Sequence, residues 1–316
     1  MRILITGASG LLGINLALEY AAEHTVFGTV NTHGLDMNLL PASFRFNSSQ
    51  VDLLAPGSLE AVVEQSRPDW VIHCAALANL EACEEDPALA MLLNAELPGR
   101  LAQLVRQLGA RLVHISTDAV FDGLRGGYTE YDAPNPLSTY AKSKLAGEYA
   151  VQEADPSAFI ARVNLFGWSL SGRRSLAEFF YYNLKASKSV KGFTDVYFCP
   201  LLVNHLAVVL TKALNLGLSG CYHLVSSECS SKYEFGIRLA KLFGLDESLI
   251  EPASIQNGGL RAARSPRLTL DTHKLSTAIG QALPGLSTGL ERFYQLYQQG
   301  YPQLLQTIGA AYGNSN

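Results

Sequence analysis

The sequence has little charge, no closely spaced cysteine pairs and no long apolar run, and each shortage excludes a class of protein. Charged residues make up 16% of the 316 residues and hydrophobic residues 48%, which is typical of a chain with a large core and not of a disordered polyelectrolyte. The formal net charge is −4, so nothing favours a nucleic-acid or anionic-membrane partner. No run approaches the ~18 apolar residues of a membrane span. We therefore predict a soluble cytoplasmic protein without a nucleic-acid or membrane partner.

The cysteines are odd in number, scattered along the chain and never arranged as C-x-x-C; they are Cys74, Cys83, Cys199, Cys221 and Cys229. A secreted protein held by a disulfide framework would need an even set, and a structural zinc site would need closely spaced ligands. We predict neither, and we expect a reducing compartment and no metal ligands.

Short apolar runs alternate with longer amphipathic segments through the first half of the chain. Strands are predicted at Arg2–Thr6, Val26–Val30, Trp70–Cys74, Arg111–Ser116 and Ala158–Val163. Helices are predicted at Leu11–Glu23, Ser58–Ser66, Pro98–Leu108 and Ser138–Glu153. Apolar runs without period-2 alternation are typical of strands covered on both faces, and alternation with helices indicates right-handed βαβ crossovers. The pattern predicts an α/β fold with a Rossmann-type doubly wound parallel sheet over residues 1–167.

The second half, residues 168–316, is less regular and is predicted to form a smaller C-terminal α/β part that binds substrate. Some of its segments are expected to return to the Rossmann sheet. The predicted elements are helices at Leu176–Ser187, Val203–Leu216, Tyr233–Phe243 and Leu286–Gln298 and a strand at Tyr222–Val225. Segments 168–175 and 254–267 are predicted as loops, and long loops in compact domains are often functional.

A glycine-rich segment lies between the first predicted strand and the first predicted helix. Gly7 permits a tight turn, Gly10 lets the backbone approach a pyrophosphate, and Gly13 allows the helix to pack closely on the strand. Free N–H groups at the helix N-terminus would bind the phosphates. An ordinary strand–helix turn is the alternative, but the placement after an apolar strand favours a dinucleotide site. The predicted contacts are Gly7, Ser9, Gly10, Leu11, Leu12 and Gly13.

The end of the second predicted strand bears on the choice of nicotinamide cofactor. An acid there would hold the ribose 2′-OH of NAD, but this chain has Asn31 and Thr32. No anion would repel a 2′-phosphate, so NADP(H) is favoured, with NAD(H) as the alternative. Further contacts are predicted after the next strands, at Asp52, Leu53, Cys74, Ala75, Ala76 and Leu77. For the two alanines, simple close packing is an equal alternative.

Tyr140 and Lys144 form a Y-x-x-x-K pattern, which places both side chains on one face of a helix. A phenol with a pKa of ~10 is a poor acid–base group at neutral pH unless a cation stabilises its phenolate. Lys144 would supply that cation and would also hold the nicotinamide ribose. Ser116 and Thr117 end a predicted strand at the sheet edge where ligands bind. The alternative is that the two side chains are simply exposed on the surface of the helix. The order of all these motifs along the chain indicates catalysis instead.

With these motifs the chain resembles an extended short-chain dehydrogenase/reductase, and within that group the dTDP-4-dehydrorhamnose reductases and their sugar-nucleotide-binding relatives. The resemblance covers nearly the whole chain and includes segments 73–76, 79–84, 94–95, 116–123, 134–140, 231–235, 264–267 and 270–275. It implies that Thr117 polarises the substrate carbonyl, Tyr140 donates the proton and Lys144 lowers the pKa of that phenol. The hydride would come from the nicotinamide.

The resemblance also implies further contacts and shows two departures. Cofactor contacts are implied for Asn94, Ser116, Tyr140, Lys144 and Asn164, and substrate contacts for Asn79, Asp118, Val120, Phe121, Trp168, Arg264 and Arg267. The family's reductases often carry a tryptophan soon after the sixth strand's arginine, whereas Trp168 comes only after Gly167. This leaves the sugar and the nucleotide open. Ala119 stands where the related dehydratases need glutamate, so a dehydration would lack its acid.

Other polar residues have plainer interpretations. His73 and His114 lie in apolar strands and are predicted as core residues and not as catalysts. The acidic residues of segment 81–86 are predicted to stabilise the N-terminus of a helix, which is preferred here to a magnesium site. The arginines could hold a diphosphate bidentately or could lie on a solvated loop surface; they are Arg173, Arg174, Arg261, Arg264 and Arg267.

The sequence thus predicts an NAD(P)-dependent reductase of a nucleotide-linked 4-keto sugar, with a sugar nucleotide as its partner and a homodimer as a candidate assembly. Two alternatives stay open. One is a nucleotide-sugar epimerase that keeps NAD tightly bound. The other is a non-catalytic regulatory subunit that resembles the β subunit of methionine adenosyltransferase.

Overall fold

The computed structural model describes residues 1–32, 34–255 and 265–309. Its strands are β1 (Arg2–Thr6), β2 (Thr25–Val30), β3 (Asn47–Gln50), β4 (Trp70–His73), β5 (Arg111–Thr117), β6 (Phe159–Val163), β7 (Leu165–Phe166), β8 (Val190–Phe193), β9 (Tyr197–Phe198), β10 (Leu201–Leu202), β11 (Gly220–Leu224), β12 (Ser230–Ser231), β13 (Ile250–Ala253) and β14 (Arg267–Leu268). Its helices are α1 (Leu11–Ala21), α2 (Ser58–Ser66), α3 (Leu80–Glu85), α4 (Pro87–Met91), α5 (Leu97–Gln107), α6 (Thr139–Ala154), α7 (Leu176–Lys185), α8 (Val203–Asn215), α9 (Lys232–Phe243), α10 (His273–Ile279), α11 (Leu286–Gln298) and α12 (Tyr301–Ile308). Within these described ranges, no helix has both the length and the apolar character needed to cross a bilayer.

The described residues form a central sheet of seven parallel strands in the order β11-β6-β5-β4-β1-β2-β3. This confirms the predicted Rossmann-type α/β fold. Strands β4 and β6 are buried at every position and β1 at all but one, as expected for a sheet covered on both faces. Because β1 lies between β2 and β4, the strand order reverses there. Ligands bind in such sheets at the carboxyl ends of the strands beside this reversal.

Short polar side chains fix where the helices around that edge begin. The Ser138 hydroxyl accepts a hydrogen bond from the Ala141 N–H at 3.2 Å at the start of α6. Reciprocal capping boxes start α7, through Ser175 and Glu178, and α9, through Ser231 and Glu234. Each cap satisfies backbone N–H groups that the first turn of a helix leaves unpaired.

The second half of the chain packs directly onto the first. Strand β11 pairs in parallel with β6, with Tyr222 opposite Ala161. The Tyr20 hydroxyl on α1 donates to the Ala207 carbonyl on α8 at 3.0 Å. One hydrophobic core therefore continues from α1 through α8 to α11 and α12.

Several short strands were not predicted, and three of them form a small sheet beside the carboxyl edge. Strand β9 pairs with β12 in antiparallel and with β14 in parallel orientation. Each of these strands has two residues, which is too short to give a periodic pattern in the sequence. Helices α3, α10 and α12, of six to eight residues, escaped prediction for the same reason.

One covalent link was not predicted either: Cys199 and Cys229 form a disulfide bond across 30 residues of sequence. The register of β9 and β12 pairs Ser230 with Phe198, which places the two cysteines next to each other at the end of this ladder. The sequence interpretation judged disulfides from cysteine spacing, and spacing does not reveal a long-range strand pair. The other three cysteines, at 74, 83 and 221, are free.

Candidate active site

The loop between β1 and α1 has a shape that only glycine permits at two positions. Gly7 has φ +69°, and a Cβ atom there would lie 2.8 Å from the Ala75 nitrogen. A Cβ atom on Gly13 would lie 2.2 Å from the Gly7 carbonyl oxygen, so α1 packs against the loop without room for a side chain. The Gly10 N–H donates to the Gly7 carbonyl at 2.9 Å. The loop is therefore a tight turn that leads directly into the first turn of α1.

A cleft of about 230 Å³ opens above this loop. Nine of the residues predicted to bind cofactor line it: Gly7, Ser9, Gly10, Asn31, Asp52, Leu53, Cys74, Ala75 and Ala76. Leu12 and Gly13 are buried in the packing of α1, and Leu11, Thr32 and Leu77 are not among the lining residues. The cleft also takes residues that the sequence interpretation did not assign to it: Thr29, Val30, Val51, Leu93, Leu97 and Arg174.

Asn94 is buried and holds neighbouring backbone in place, so the expectation that it contacts cofactor needs correction. Its side-chain oxygen accepts from the Leu77 N–H at 2.9 Å, and its amide donates to the Leu77 carbonyl at 3.0 Å. The same amide donates to the Ser143 hydroxyl on α6 at 2.9 Å. Asn94 lies in a π-helical turn, Leu92–Glu96, and links the segment after β4 to the helix that carries Tyr140.

A second cavity, of about 240 Å³, lies at the carboxyl ends of β5 and β6. Thr117, Asp118, Tyr140 and Asn164 line it together with residues that the sequence interpretation missed: Leu80, Ala119, Leu137, Ser138, Val196, Tyr197, Phe198, Lys232, Ser265 and Leu268. Tyr197 and Phe198 belong to β9, Lys232 follows β12 and Leu268 belongs to β14. The small three-stranded sheet therefore forms one wall of this cavity.

Tyr140 faces this cavity from the start of α6. Burial raises the pKa of its phenol to about 12, although a hydrogen bond with Thr117 acts in the opposite direction. The negative charge of Asp118 adds to the rise. The expectation that Lys144 lowers the pKa of this phenol stays a prediction. At neutral pH, Tyr140 is a protonated acid.

Lys144 lies one turn further along α6 and is 3% exposed. Its ammonium donates to the Ile115 carbonyl at 2.7 Å. Burial lowers the pKa of Lys144 to about 8, and the Glu148 carboxylate opposes that change. Lys144 therefore carries its proton at neutral pH.

Ser116 is turned away from both cavities, which corrects its expected contact with cofactor. Its hydroxyl donates to the Glu148 carboxylate at 2.5 Å. Arg162 donates to both oxygens of the same carboxylate, at 2.7 Å from its Nη2. This buried network joins β5, α6 and β6 behind the catalytic candidates.

Asp118 is held in its orientation by two of the expected site residues. The Asn164 amide donates to its Oδ2 at 2.5 Å, and the Thr117 hydroxyl donates to its Oδ1 at 3.1 Å. Burial raises the pKa of this carboxyl to about 6, against the effect of these hydrogen bonds. Asn164 thus lines the substrate side of the site, at the end of β6, and not the glycine-lined cleft.

Three expected substrate contacts are core residues, because each side chain is completely enclosed. Val120, Phe121 and Trp168 are 0% exposed. The Trp168 ring stacks on Phe293 with centroids 3.9 Å apart, and its N–H donates to the Phe293 carbonyl at 3.0 Å. Trp168 therefore packs the second half of the core and does not line the cavity.

The remaining residues that were expected to contact substrate lie at the rim of the second cavity or away from it. Asn79 caps α3 by accepting the Ala82 N–H at 2.9 Å. Arg267 is exposed, and its guanidinium lies 5.7 Å from the centre of the Tyr197 ring. Arg264 lies outside the described residues. Glu84, in the acidic segment, accepts from the Thr139 N–H and hydroxyl at 2.8 and 2.6 Å, so it supports the N-terminus of α6.

His73 and His114 are core residues, as predicted. They are 1% and 0% exposed, and their rings stack 5.7 Å apart. Burial lowers the pKa of His73 to about 3 and that of His114 far below its usual range. Both imidazoles are neutral at physiological pH and sit behind Lys144 without contact to either cavity.

The chain is similar to several known proteins over nearly its full length. Residues 1–299 match the family described as RmlD substrate binding domain. The chain is 30% identical over 295 residues to the probable low-salt glycan biosynthesis reductase Agl14 of Haloferax volcanii, which covers 92% of this chain and 96% of that protein. It is 31% identical over 293 residues to methionine adenosyltransferase 2 subunit beta of Pongo abelii, covering 90% and 84%. The crystal structure of a dTDP-4-dehydrorhamnose reductase from Bacillus anthracis in complex with NADP matches with a TM-score of 0.80 and 29% identity, over 93% of this chain and 98% of that one.

Proposed function

Because the chain belongs to the RmlD substrate-binding-domain family, we propose that it is an NADP-dependent reductase of a nucleotide-linked 4-keto sugar. The family and the solved relatives place it with the NAD(P)-dependent reductases of the extended short-chain dehydrogenase type. The observation that supports the finer proposal best is the convergence of Thr117, Asp118 and Tyr140 on one cavity. That cavity lies at the same sheet edge as the glycine-lined cleft.

The glycine-lined cleft fits a dinucleotide. A side chain on Gly7 or Gly13 would collide with backbone, so the loop keeps its backbone close to the first turn of α1. Within the described ranges no side chain caps that turn, which leaves N–H groups for phosphate oxygens. Asn31 lines the cleft where NAD enzymes place an acid, which supports NADP. When bound here, the nicotinamide would supply the hydride.

Tyr140 is the proposed proton donor. Since its phenol is protonated at neutral pH, it can donate to the carbonyl oxygen while the carbonyl carbon receives the hydride. The C=O π bond breaks, a C–H and an O–H bond form, and a phenolate remains that water reprotonates. The Thr117 hydroxyl, hydrogen-bonded with Tyr140, would hold the carbonyl oxygen by turning its one proton from Asp118 to that oxygen. The positive charge of Lys144 on the same helix face would favour the phenolate as it forms.

The second half of the chain supplies groups suited to a nucleoside diphosphate. Lys232 and Tyr197 line the same cavity as Tyr140, and Arg267 lies over the Tyr197 ring. Cations bind phosphate oxygens, and an aromatic ring offers a stacking surface for a base. These residues support a sugar nucleotide as the substrate.

The test is Tyr140→Phe, with Tyr149→Phe as the matched control. Tyr149 lies on the same helix and is 61% exposed, so the control removes a hydroxyl that has no part in the site. NADPH oxidation would be followed with dTDP-4-keto-6-deoxy sugars as substrates. General acids contribute about 10²–10⁴-fold in rate, so kcat should fall by this factor in Tyr140→Phe alone. NADPH affinity should be unchanged in both variants.

Full activity of Tyr140→Phe on a substrate that the wild type reduces would rule out the proposed proton donor. A wild type that binds NADPH but reduces no sugar nucleotide would instead favour a second function. The 31% identity to methionine adenosyltransferase 2 subunit beta supports a regulatory subunit as that second candidate. It would be tested by asking whether the protein forms a complex with a methionine adenosyltransferase catalytic subunit in size-exclusion chromatography.

A further inference from the structure

Arg174 is a residue of the second half that reaches the cleft of the first half. It lies in the loop between β7 and α7, yet it lines the glycine-lined cleft with Ser9, Gly10 and Asn31. Among the described residues that line this cleft, it is the one cation. No described residue forms an ion pair with its guanidinium.

The backbone at Arg174 is fixed by a buried carboxylate. Glu178 is 0% exposed and accepts hydrogen bonds from the Arg174 N–H at 2.9 Å and the Ser175 N–H at 3.2 Å. It also accepts from the Ser169 N–H at 2.6 Å, so both ends of the loop are attached to the start of α7. The loop is further tied to α1, because Asn15 donates to the Trp168 carbonyl at 2.9 Å. The exposed guanidinium therefore extends from an anchored loop.

Apart from Arg174, the described lining residues of the cleft supply no full positive charge to a bound phosphate. A pyrophosphate carries about two negative charges, whereas a helix N-terminus supplies roughly half a positive charge. The other titratable residues among the described lining residues are Asp52 and Cys74, and neither is a cation. A guanidinium can donate two parallel hydrogen bonds to phosphate oxygens.

We propose that Arg174 binds a phosphate group of the dinucleotide and so links the second half of the chain to the cofactor. This rests on the proposed function, since it concerns the same cleft. In this proposal Glu178 is a positioning residue: its carboxylate holds the loop and does not touch the ligand. Cofactor binding and the placement of the loop that joins the two halves would then be coupled.

The experiment is a binding titration of Arg174→Ala, with Arg173→Ala as the matched control. Arg173 is the adjacent exposed arginine, and it does not line the cleft. NADPH and NADH would be titrated separately by nucleotide fluorescence at low and at high salt. In Arg174→Ala the loss of a charge-assisted hydrogen bond should weaken nucleotide binding by about tenfold or more. In Arg173→Ala binding should not change. The salt dependence of that variant should also be shallower than that of the wild type, which a merely structural role would not produce.

Equal weakening for NADPH and NADH assigns the contact to the pyrophosphate, and weakening of NADPH alone assigns it to the 2′-phosphate. If Arg174→Ala binds both nucleotides as tightly as Arg173→Ala, the proposal is wrong, while the dinucleotide site itself stands. If the wild type binds neither nucleotide, the proposed function fails first. Thermal unfolding of each variant verifies that a lost affinity does not come from a lost fold.

Discussion

Replacing Lys144 by methionine is expected to stabilise the cofactor-free protein while it removes the activity. The ammonium is nearly fully buried and donates to the Ile115 carbonyl at 2.7 Å. Burial lowers its pKa from 10.5 to about 8. At 1.36 kcal/mol per pKa unit, the folded state gives up about 3 kcal/mol by keeping this charge at pH 7.

Methionine has a similar length and no charge, so it removes that cost. It also leaves the Ile115 carbonyl without its donor, which costs roughly 1–3 kcal/mol. The net expectation at pH 7 is a stabilisation of roughly 0–2 kcal/mol. Such a trade between stability and activity is common at sites that hold strained or desolvated charges.

The free energy of unfolding should depend on pH in one direction. The unfolded chain keeps the lysine proton up to about pH 10.5, whereas the folded protein releases it above about pH 8. Between these values the unfolded state binds more protons, so this group makes the wild type more stable as the pH rises. The advantage of Lys144→Met should therefore fall by about 3 kcal/mol between pH 8 and pH 10.5. Near the upper end the variant should become the less stable protein, because the Ile115 carbonyl still lacks its donor.

Urea unfolding monitored by tryptophan fluorescence would measure the effect, at several values of pH from 7 to 10 and without cofactor. Lys142→Met is the control, because Lys142 is exposed on the same helix. The reasoning fails if Lys144→Met is less stable than the wild type at pH 7, or if the difference does not change with pH. Reductase activity of Lys144→Met should be lost at every pH.

Three further outcomes are expected. Gly10→Asp should abolish binding of NADPH and NADH, because its carboxylate would face the pyrophosphate at the start of α1; undiminished binding in a titration would contradict the loop assignment. Asn31→Asp should lower NADPH affinity relative to NADH, since an acid at the end of β2 repels a 2′-phosphate, and an unchanged ratio would disprove it. Trp168→Phe should lower the free energy of unfolding by roughly 1–3 kcal/mol, through the lost volume and the unpaired Phe293 carbonyl. Its KM for the sugar nucleotide should stay the same, whereas a raised KM would restore Trp168 as a substrate contact.

The parts of the fold that could be predicted from sequence are those with local signals. Strand β1 and helix α2 begin and end where they were predicted, because each is a continuous apolar run or an amphipathic period with clear ends. The glycine loop has a local cause too, since Gly7 and Gly13 have no room for a Cβ atom. The lining of the cleft followed from strand ends, which the topology of a parallel sheet gathers at one edge.

The substrate side of the site could not be predicted in the same way. Tyr197 and Ser265 come to the cavity through two-residue strands and loops far apart in sequence, and nothing local marks them. Trp168 was wrongly predicted as a substrate contact. A tryptophan near a glycine-containing loop can equally well line a binding site or pack in the hydrophobic core. Only its packing against Phe293 distinguishes the two. The Cys199–Cys229 pair likewise depends on the register of β9 and β12.

Strand β11, at one edge of the central sheet, has a consequence for how the chain is made. Strand β6 ends at residue 163, but its partner β11 begins only at residue 220. A ribosome that adds 5–20 residues per second needs roughly 3–11 s to supply that stretch. During this time β6, which is buried at all five positions in the finished protein, is an open apolar edge of the kind that pairs with other chains. A fragment that stops near residue 167 would keep this edge permanently, so we expect it to aggregate and the intact chain to depend on chaperones for a few seconds of its synthesis.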